Sequence, residues 1–193
     1  MGGFEIVSVM RITGGIWRGR QLRPVSGFKG RPTTDFGREG LFNLLRTRVE
    51  LEGADVLDLF AGTGMIGMGC ASRGAGSVTL VEKQNRSCKQ IKGHFKSLEF
   101  DNAVVITGDC FSFIKRSTTS ISKSSYDLVF ADPPFDMVDF DKIPGLVMKS
   151  GLVRQGGIFV LEHGERMIFS EEKGFVESRK FSHVVFSFFN FES

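Results

Sequence analysis

The sequence predicts an α/β fold: a doubly wound, mostly parallel seven-stranded sheet with helices on both faces, an antiparallel C-terminal strand pair and a small N-terminal β-hairpin extension. Three observations carry this expectation. From Asp55 onward, short apolar runs alternate with helix-period stretches, as in successive βα units. The first apolar run passes through a glycine-rich turn, Asp58-Leu-Phe-Ala-Gly-Thr-Gly64, straight into a helical pattern. After Glu162 the alternation stops, and Val184-Val-Phe-Ser-Phe-Phe-Asn-Phe191 is strongly β-prone with a period-two component.

The segment from Met10 to Thr34 holds Arg11, Arg18, Arg20, Arg23, Lys29 and Arg31 and no acid. Its turn signals, Gly14-Gly15 and Pro24 to Gly30, predict a hairpin followed by a loop outside the main sheet. Such an appendage suits nucleic-acid phosphates, and a solvated charged face explains it equally well. Trp17 either stacks on a nucleotide or, the simpler reading, pins the hairpin to the body. Residues 1–34 are thus expected to form a basic extension, and 35–193 the main domain.

Thr34-Asp35 caps a helix expected to run from Asp35 to Val49. Strands are expected at Val56–Phe60, Ser77–Glu82, Ala103–Thr107, Tyr126–Ala131 and Gly157–Glu162. Helices fall between them at Gly64–Arg73, Gln84–Leu98, Cys110–Arg116 and Lys142–Ser150. Thr118–Ser125 reads as a surface loop, and Gly174–Arg179 with His183–Glu192 as the closing antiparallel pair.

Composition narrows the function. At 193 residues, 41% hydrophobic and 24% charged, the chain has the content of one globular domain. No apolar run reaches the ~20 residues of a membrane span, and the first residues lack the basic start and apolar stretch of a signal peptide, so a soluble cytoplasmic monomer is expected. Cys70, Cys88 and Cys110 and the three histidines are scattered, and no metal is expected. A net charge of +3 is too small to argue nucleic-acid binding; its distribution matters more.

The apolar run Tyr126–Ala131 ends abruptly in Asp132-Pro-Pro-Phe135. Pro133 and Pro134 have no N–H to continue a ladder, so Asp132 is held at the carboxyl edge of the sheet by a stiff backbone. The exocyclic amine of a base is a poor nucleophile because its lone pair is delocalised. A carboxylate and a carbonyl accepting its two N–H groups, with an aromatic ring stacked on the base, orient that lone pair toward an electrophile. Asp132, the Pro133 carbonyl and Phe135 supply those parts. An Asp-capped turn is the bland alternative.

Gly62, Gly64 and Gly67 fit a dinucleotide fingerprint, but Asp58 would meet a pyrophosphate badly and suits a cationic amino acid group instead. Glu82 ends the next strand where ribose hydroxyls are usually gripped, and Asp109, with Cys110 beside it, can accept from an adenine amine. Together they describe S-adenosylmethionine; singly, Glu82 and Asp109 serve equally well as helix caps.

Residues Met10-Arg-Ile-Thr-Gly-Gly-Ile-Trp-Arg-Gly-Arg20, Arg31-Pro-Thr-Thr-Asp35, Arg38-Glu39, Leu41-Phe-Asn43, Asp58–Gly64, Val81-Glu82 and Asp132–Phe135 carry a family resemblance. The chain resembles class I S-adenosylmethionine-dependent methyltransferases, and among them the bacterial 16S ribosomal RNA guanine-N2 methyltransferases. The resemblance implies that Asp58, Phe60, Ala61, Gly62, Thr63 and Gly64 bind the methionine part, Glu82 and Lys83 the ribose side, and Asp109 with Cys110 the adenine. It implies that Thr33 and Thr34 border the cofactor, that Asp132, Pro133, Pro134 and Phe135 hold the guanine amine, and that Arg11, Trp17, Arg18, Arg20, Arg23 and Arg31 contact RNA. One departure stands out: the family commonly has an arginine after Thr-Thr-Asp, where this chain has Phe36.

The expected reaction is in-line methyl transfer to guanine N2 of ribosomal RNA, in the small subunit or an assembly intermediate, with Asp132 orienting the amine rather than abstracting its proton through a tuned pKa. The rivals are a DNA adenine-N6 or protein amide methyltransferase, and a non-catalytic RNA-binding assembly factor on the same fold.

Overall fold

The structure is a computed structural model that describes residues 9–23, 34–119 and 125–191. The expected Pro24–Gly30 turn, Arg31 and Thr33 lie outside the described residues, as does most of the Thr118–Ser125 loop. The chain runs β1 (Met10–Arg11), β2 (Gln21–Leu22), α1 (Asp35–Leu45), β3 (Asp55–Leu59), α2 (Met65–Ala71), β4 (Ser77–Glu82), α3 (Asn85–Ser97) and β5 (Ala103–Thr107). It continues through α4 (Cys110–Thr119), β6 (Tyr126–Ala131), a 3-10 turn (Phe140–Lys142), α5 (Ile143–Ser150), β7 (Val153–His163), β8 (Phe175–Phe181) and β9 (Val184–Asn190).

β1 and β2 form a separate antiparallel hairpin, and the other seven strands form one sheet in the order β5-β4-β3-β6-β7-β9-β8. Pairing is parallel from β5 to β7 and antiparallel around β9, as expected. Strand order reverses between β3 and β6, which opens a crevice at their carboxyl ends.

Period-two alternation divides the core. Val56, Leu80, Leu128, Phe130 and Val160 pack in one apolar layer with α1, α2, α3 and the hairpin. Leu57, Leu59, Val81, Val129, Phe159 and Leu161 pack in the other with α4 and α5. Met10, Ile12 and Leu22 belong to the first layer, so the hairpin shares the core of the main domain.

The hairpin tip docks backbone to backbone. Ile16 N donates to Ser72 O (2.7 Å), Ser72 Oγ donates to Gly14 O (2.6 Å) and Trp17 N donates to Ser72 Oγ (3.0 Å). Gly15 has φ +78°, and a Cβ there would lie 1.8 Å from Ser72 O, so only glycine permits this approach. The Trp17 ring meets Phe100 edge-on at 6.1 Å, the pinning role read from the sequence.

Most boundaries shift by one or two residues, and three differ by more. α1 stops at Leu45 rather than Val49, because Thr47 Oγ1 and Arg48 Nη1 donate to Leu44 O and terminate the ladder. α4 runs to Thr119 rather than Arg116; the hydroxyls of Ser117 and Thr118, which could have capped an earlier end, instead bond back to Phe113 O and Ile114 O within the helix. β7 begins at Val153: an irregularity at Gly156 (φ +75°) lets the strand bend and keep pairing with β6.

Candidate active site

Asp58, Glu82, Asp132 and Glu162 stand at the carboxyl ends of β3, β4, β6 and β7. Each is an even step from a neighbour in the α1–α3 layer, so all four share one face. Leu59 pairs with Ala131 and Ala131 with Leu161, which puts Asp132 and Glu162 at one level of the sheet.

The turn after β3 has Phe60, Gly62 and Gly64 all at positive φ (57°, 54° and 74°). A Cβ on Gly64 would come within 3.0 Å of Ile91 on α3, and one on Gly67 within 2.8 Å of Leu80, so glycine lets both the turn and α2 lie close to their neighbours. Asp58 is 2% exposed and its Oδ2 accepts the Gly67 N–H (3.0 Å). Burial, with Glu82 nearby, pushes its carboxyl up to about 7 despite that bond.

Glu82 is used internally: Oε2 accepts from Gly62 N (2.8 Å) and Oε1 from Gln84 N (2.7 Å), tying the glycine turn to the start of α3. Each oxygen keeps a second lone pair. Exposed Asp109 caps α4 by accepting from Ser112 N (2.9 Å), which holds its carboxyl below the usual range. Both acids therefore act as backbone anchors, the alternative left open from sequence.

Cys110 does not lie open beside a ligand ring. Buried at 3% exposure, its Sγ accepts from Phe60 N (3.2 Å), and burial pushes the thiol up to about 12. The aromatic neighbour there is Phe111, edge-on to Phe60 at 6.2 Å, which sequence reasoning missed although it follows Asp109-Cys110 directly. Ala61 N donates to Val81 O, and Thr63 is buried in the turn. Lys83 is exposed beside Glu82, while Thr34 caps α1 through Gly37 N (3.1 Å).

Asp132 N donates to Leu59 O (3.4 Å), closing the end of the sheet. Pro133 is buried, and among the described residues no hydrogen bond occupies its carbonyl, whereas the Pro134 carbonyl takes Met137 N. The Phe135 ring is 45% exposed and rests edge-on against Phe140 at 6.4 Å. Phe140 in turn stacks on Phe169, so the loops after β6 and β7 brace the ring together. Burial first, then Glu162 and Asp58, hold the Asp132 carboxyl well above the ordinary range. This corrects the expectation of an untuned carboxyl: besides burial, the neighbouring charges of Glu162 and Asp58 make the Asp132 proton harder to remove.

Arg38 and Glu162 had no assigned role from sequence. Arg38, buried on α1, donates to Arg11 O (3.2 Å) and to Asp35 Oδ1 (2.5 Å); burial lowers its guanidinium below the usual range, opposed by the charges of Asp35 and Glu162. It places a cation opposite the acidic face. Of the residues expected to meet RNA, Arg18, Arg20 and Arg23 are exposed at the hairpin, but Arg11 is engaged with Asp35 (3.2 Å) and Trp17 with Phe100. Phe36 is 64% exposed and touches Phe181.

The strand order, the glycine turn and the acidic carboxyl edge define a class I methyltransferase fold. Among solved structures, yhhF from Escherichia coli superposes with a TM-score of 0.80 at 30% identity over 96% of this chain and 99% of that one. A hypothetical protein from Thermus thermophilus gives 0.80 at 27% identity over 94% and 99%. Among curated proteins, ribosomal RNA small subunit methyltransferase D of Escherichia coli K12 is 35% identical over 154 residues, 79% of this chain and 74% of that protein. Its Haemophilus influenzae counterpart of the same name is 32% identical over 156 residues, 79% and 78%. The family profile described as "Conserved hypothetical protein 95" matches residues 10–190, and the chain belongs to that family.

Proposed function

We propose that this protein transfers a methyl group from S-adenosylmethionine to the exocyclic N2 amine of a guanine in small-subunit ribosomal RNA, in the cytoplasm. The observation that carries the reading is the Asp132–Phe135 corner: a carboxyl, a carbonyl with no partner among the described residues and an exposed ring on a rigid edge, level with the Asp58–Gly64 turn. The relatives named ribosomal RNA small subunit methyltransferase D support the substrate class.

The site fits the cofactor on its own chemistry. A buried carboxyl pushed up to about 7 has no cation among the described residues to relieve it, and an α-ammonium group supplies one. In this reading Asp58 holds the ammonium, Glu82 offers its spare lone pairs to the ribose hydroxyls, and Phe60 and Phe111 flank the adenine with Asp109 at its amine. Bound there, S-adenosylmethionine supplies an electrophilic methyl on a sulfonium. Asp132 and the Pro133 carbonyl accept the two N–H groups of the guanine amine, and Phe135 stacks the base. Because the Asp132 carboxyl is held up, its ionised form is also a better proton acceptor than an ordinary carboxylate, so it both orients the amine and receives the proton at Oδ.

The test is transfer of labelled methyl to small subunits lacking the modification, beside free 16S RNA, DNA and protein, with mass mapping of the product. Label on one guanine N2 is the expected result. Label on DNA adenine, on protein or on another RNA atom overturns the substrate, and cofactor binding with no transfer to any of them overturns the activity.

A further inference from the structure

We infer that the exposed stripe of α3 (Arg86, Lys89, Lys92 and Lys96) and the hairpin arginines Arg18, Arg20 and Arg23 form one phosphate-binding track for the backbone of the substrate RNA. The inference rests on the RNA reading above and adds a surface to it.

Residues 83–96 contain five basic side chains and no acid. Four of them recur at intervals of three, three and four, which places them on one side of α3. Ser87, Cys88, Ile91 and Phe95 are buried on the other. Helix stability does not explain this stripe. Each neighbouring pair is a like-charge pair at i,i+3 or i,i+4, which disfavours a helix, and Arg86 sits at the positive end of the macrodipole. Among the described residues, none of the seven track cations is in an ion pair.

The fold joins the two basic pieces. Arg20 Nη2 donates to Ser97 O (3.1 Å) at the end of α3, Trp17 meets Phe100, and the Arg23 carbonyl is bonded by Gln90 and by His94 Nε2 (3.1 Å). The other end of α3 begins at Asn85, just after Glu82, whose carboxylate holds Gly62 N and Gln84 N. The stripe therefore leads from the cofactor turn to the hairpin, over about 15 Å between Arg86 and Lys96. Lys92 and Lys96 also line a cleft of about 250 Å³ together with Phe95, Phe100, Ala103, Val105 and, as the one acid of that lining among the described residues, Asp101. Cations beside an apolar lining suit a sugar-phosphate chain.

The variant is the full-length Lys89→Gln/Lys92→Gln/Lys96→Gln protein, since glutamine keeps helix propensity and none of the three lysines belongs to the proposed cofactor or base site. Filter binding to deproteinised 16S RNA and to small subunits is measured from low to high salt, with cofactor affinity as the folding control. The expected result is RNA affinity down by roughly tenfold or more and a log–log salt slope shallower by about 2 to 3, with cofactor affinity unchanged. Unchanged RNA affinity and slope overturn the track even if the wild-type protein methylates RNA. Wild-type failure to bind RNA, or lysine-dependent binding to a ribosomal protein in place of RNA, overturns it as well. Lysine-dependent RNA binding without methyl transfer keeps the track and overturns the proposed activity instead.

Discussion

Replacing Asp58 by asparagine tests the buried acid at the centre of the site. In the folded protein its carboxyl is raised from 3.8 to about 7, chiefly by burial. The folded state thus holds this proton more tightly than the unfolded chain does. The associated stability is complete below about pH 4, is lost as pH rises, and is gone above about pH 7. At 1.36 kcal/mol for each pH unit between 3.8 and about 7, that corresponds to ~4 kcal/mol at most. For a chain of this size that is about 8 to 16 °C in Tm. Asparagine keeps an acceptor for Gly67 N but does not titrate. It also eases Asp132, which feels the Asp58 charge, in the same direction. Thermal unfolding from pH 5 to pH 8 should therefore show the wild type losing several degrees more than Asp58→Asn, whatever the absolute cost of the substitution. S-adenosylhomocysteine, which carries the same ammonium group, should bind the variant about 10- to 100-fold more weakly by calorimetry, as expected for one charged hydrogen bond. Parallel pH curves together with unchanged affinity would refute both the raised carboxyl and its role.

Asp132→Asn should lower kcat by roughly 10²- to 10⁴-fold with cofactor affinity within a few-fold, read from single-turnover transfer and calorimetry. In the wild type, activity should rise with pH through a group titrating above the ordinary carboxylate range, because only the ionised carboxylate can take up the amine proton; an acid limb near 4 contradicts this. Gly15→Ala must strain a φ of +78° and push against Ser72 O, so it should cost about 1 to 3 kcal/mol and speed hydrogen exchange at the Ile16 and Trp17 amides. Exchange as slow as in the wild type speaks against backbone docking of the hairpin. Arg154 bonds Asp55 and Asp127 (2.8 Å each) near the amino ends of β3 and β6, away from the site. All three side chains are partly exposed, so Arg154→Ala should cost only ~1 kcal/mol in denaturant titration and leave kcat unchanged.

The order of strands and helices, the glycine turn and the rigid corner at Asp132 were determined by sequence alone, because each depends on short-range rules: period two against 3.6, glycine at positive φ, and proline's missing N–H. Even the closing pair was legible in the Val184–Phe191 pattern, whose buried members Phe186, Phe188 and Phe189 line both core layers. Helix ends at Leu45 and Thr119 were not legible, because the sequence does not show which carbonyls the Arg48 guanidinium and the Thr118 hydroxyl bond. Nor was the use of each acid. Glu82 and Asp109 look alike as strand-end acids, and only the positions of Gly62 N and Ser112 N show which backbone groups they hold. Strand register, a long-range property, put Glu162 beside Asp132 and so added to the effect of burial in raising the Asp132 carboxyl. Tertiary packing alone set Arg38 against that acidic face and brought Arg20 to Ser97, 77 positions away, joining two basic segments into one surface. Charge acts through space, and the chain order carries no record of which distant side chains will share a solvent-facing side or a low-dielectric interior.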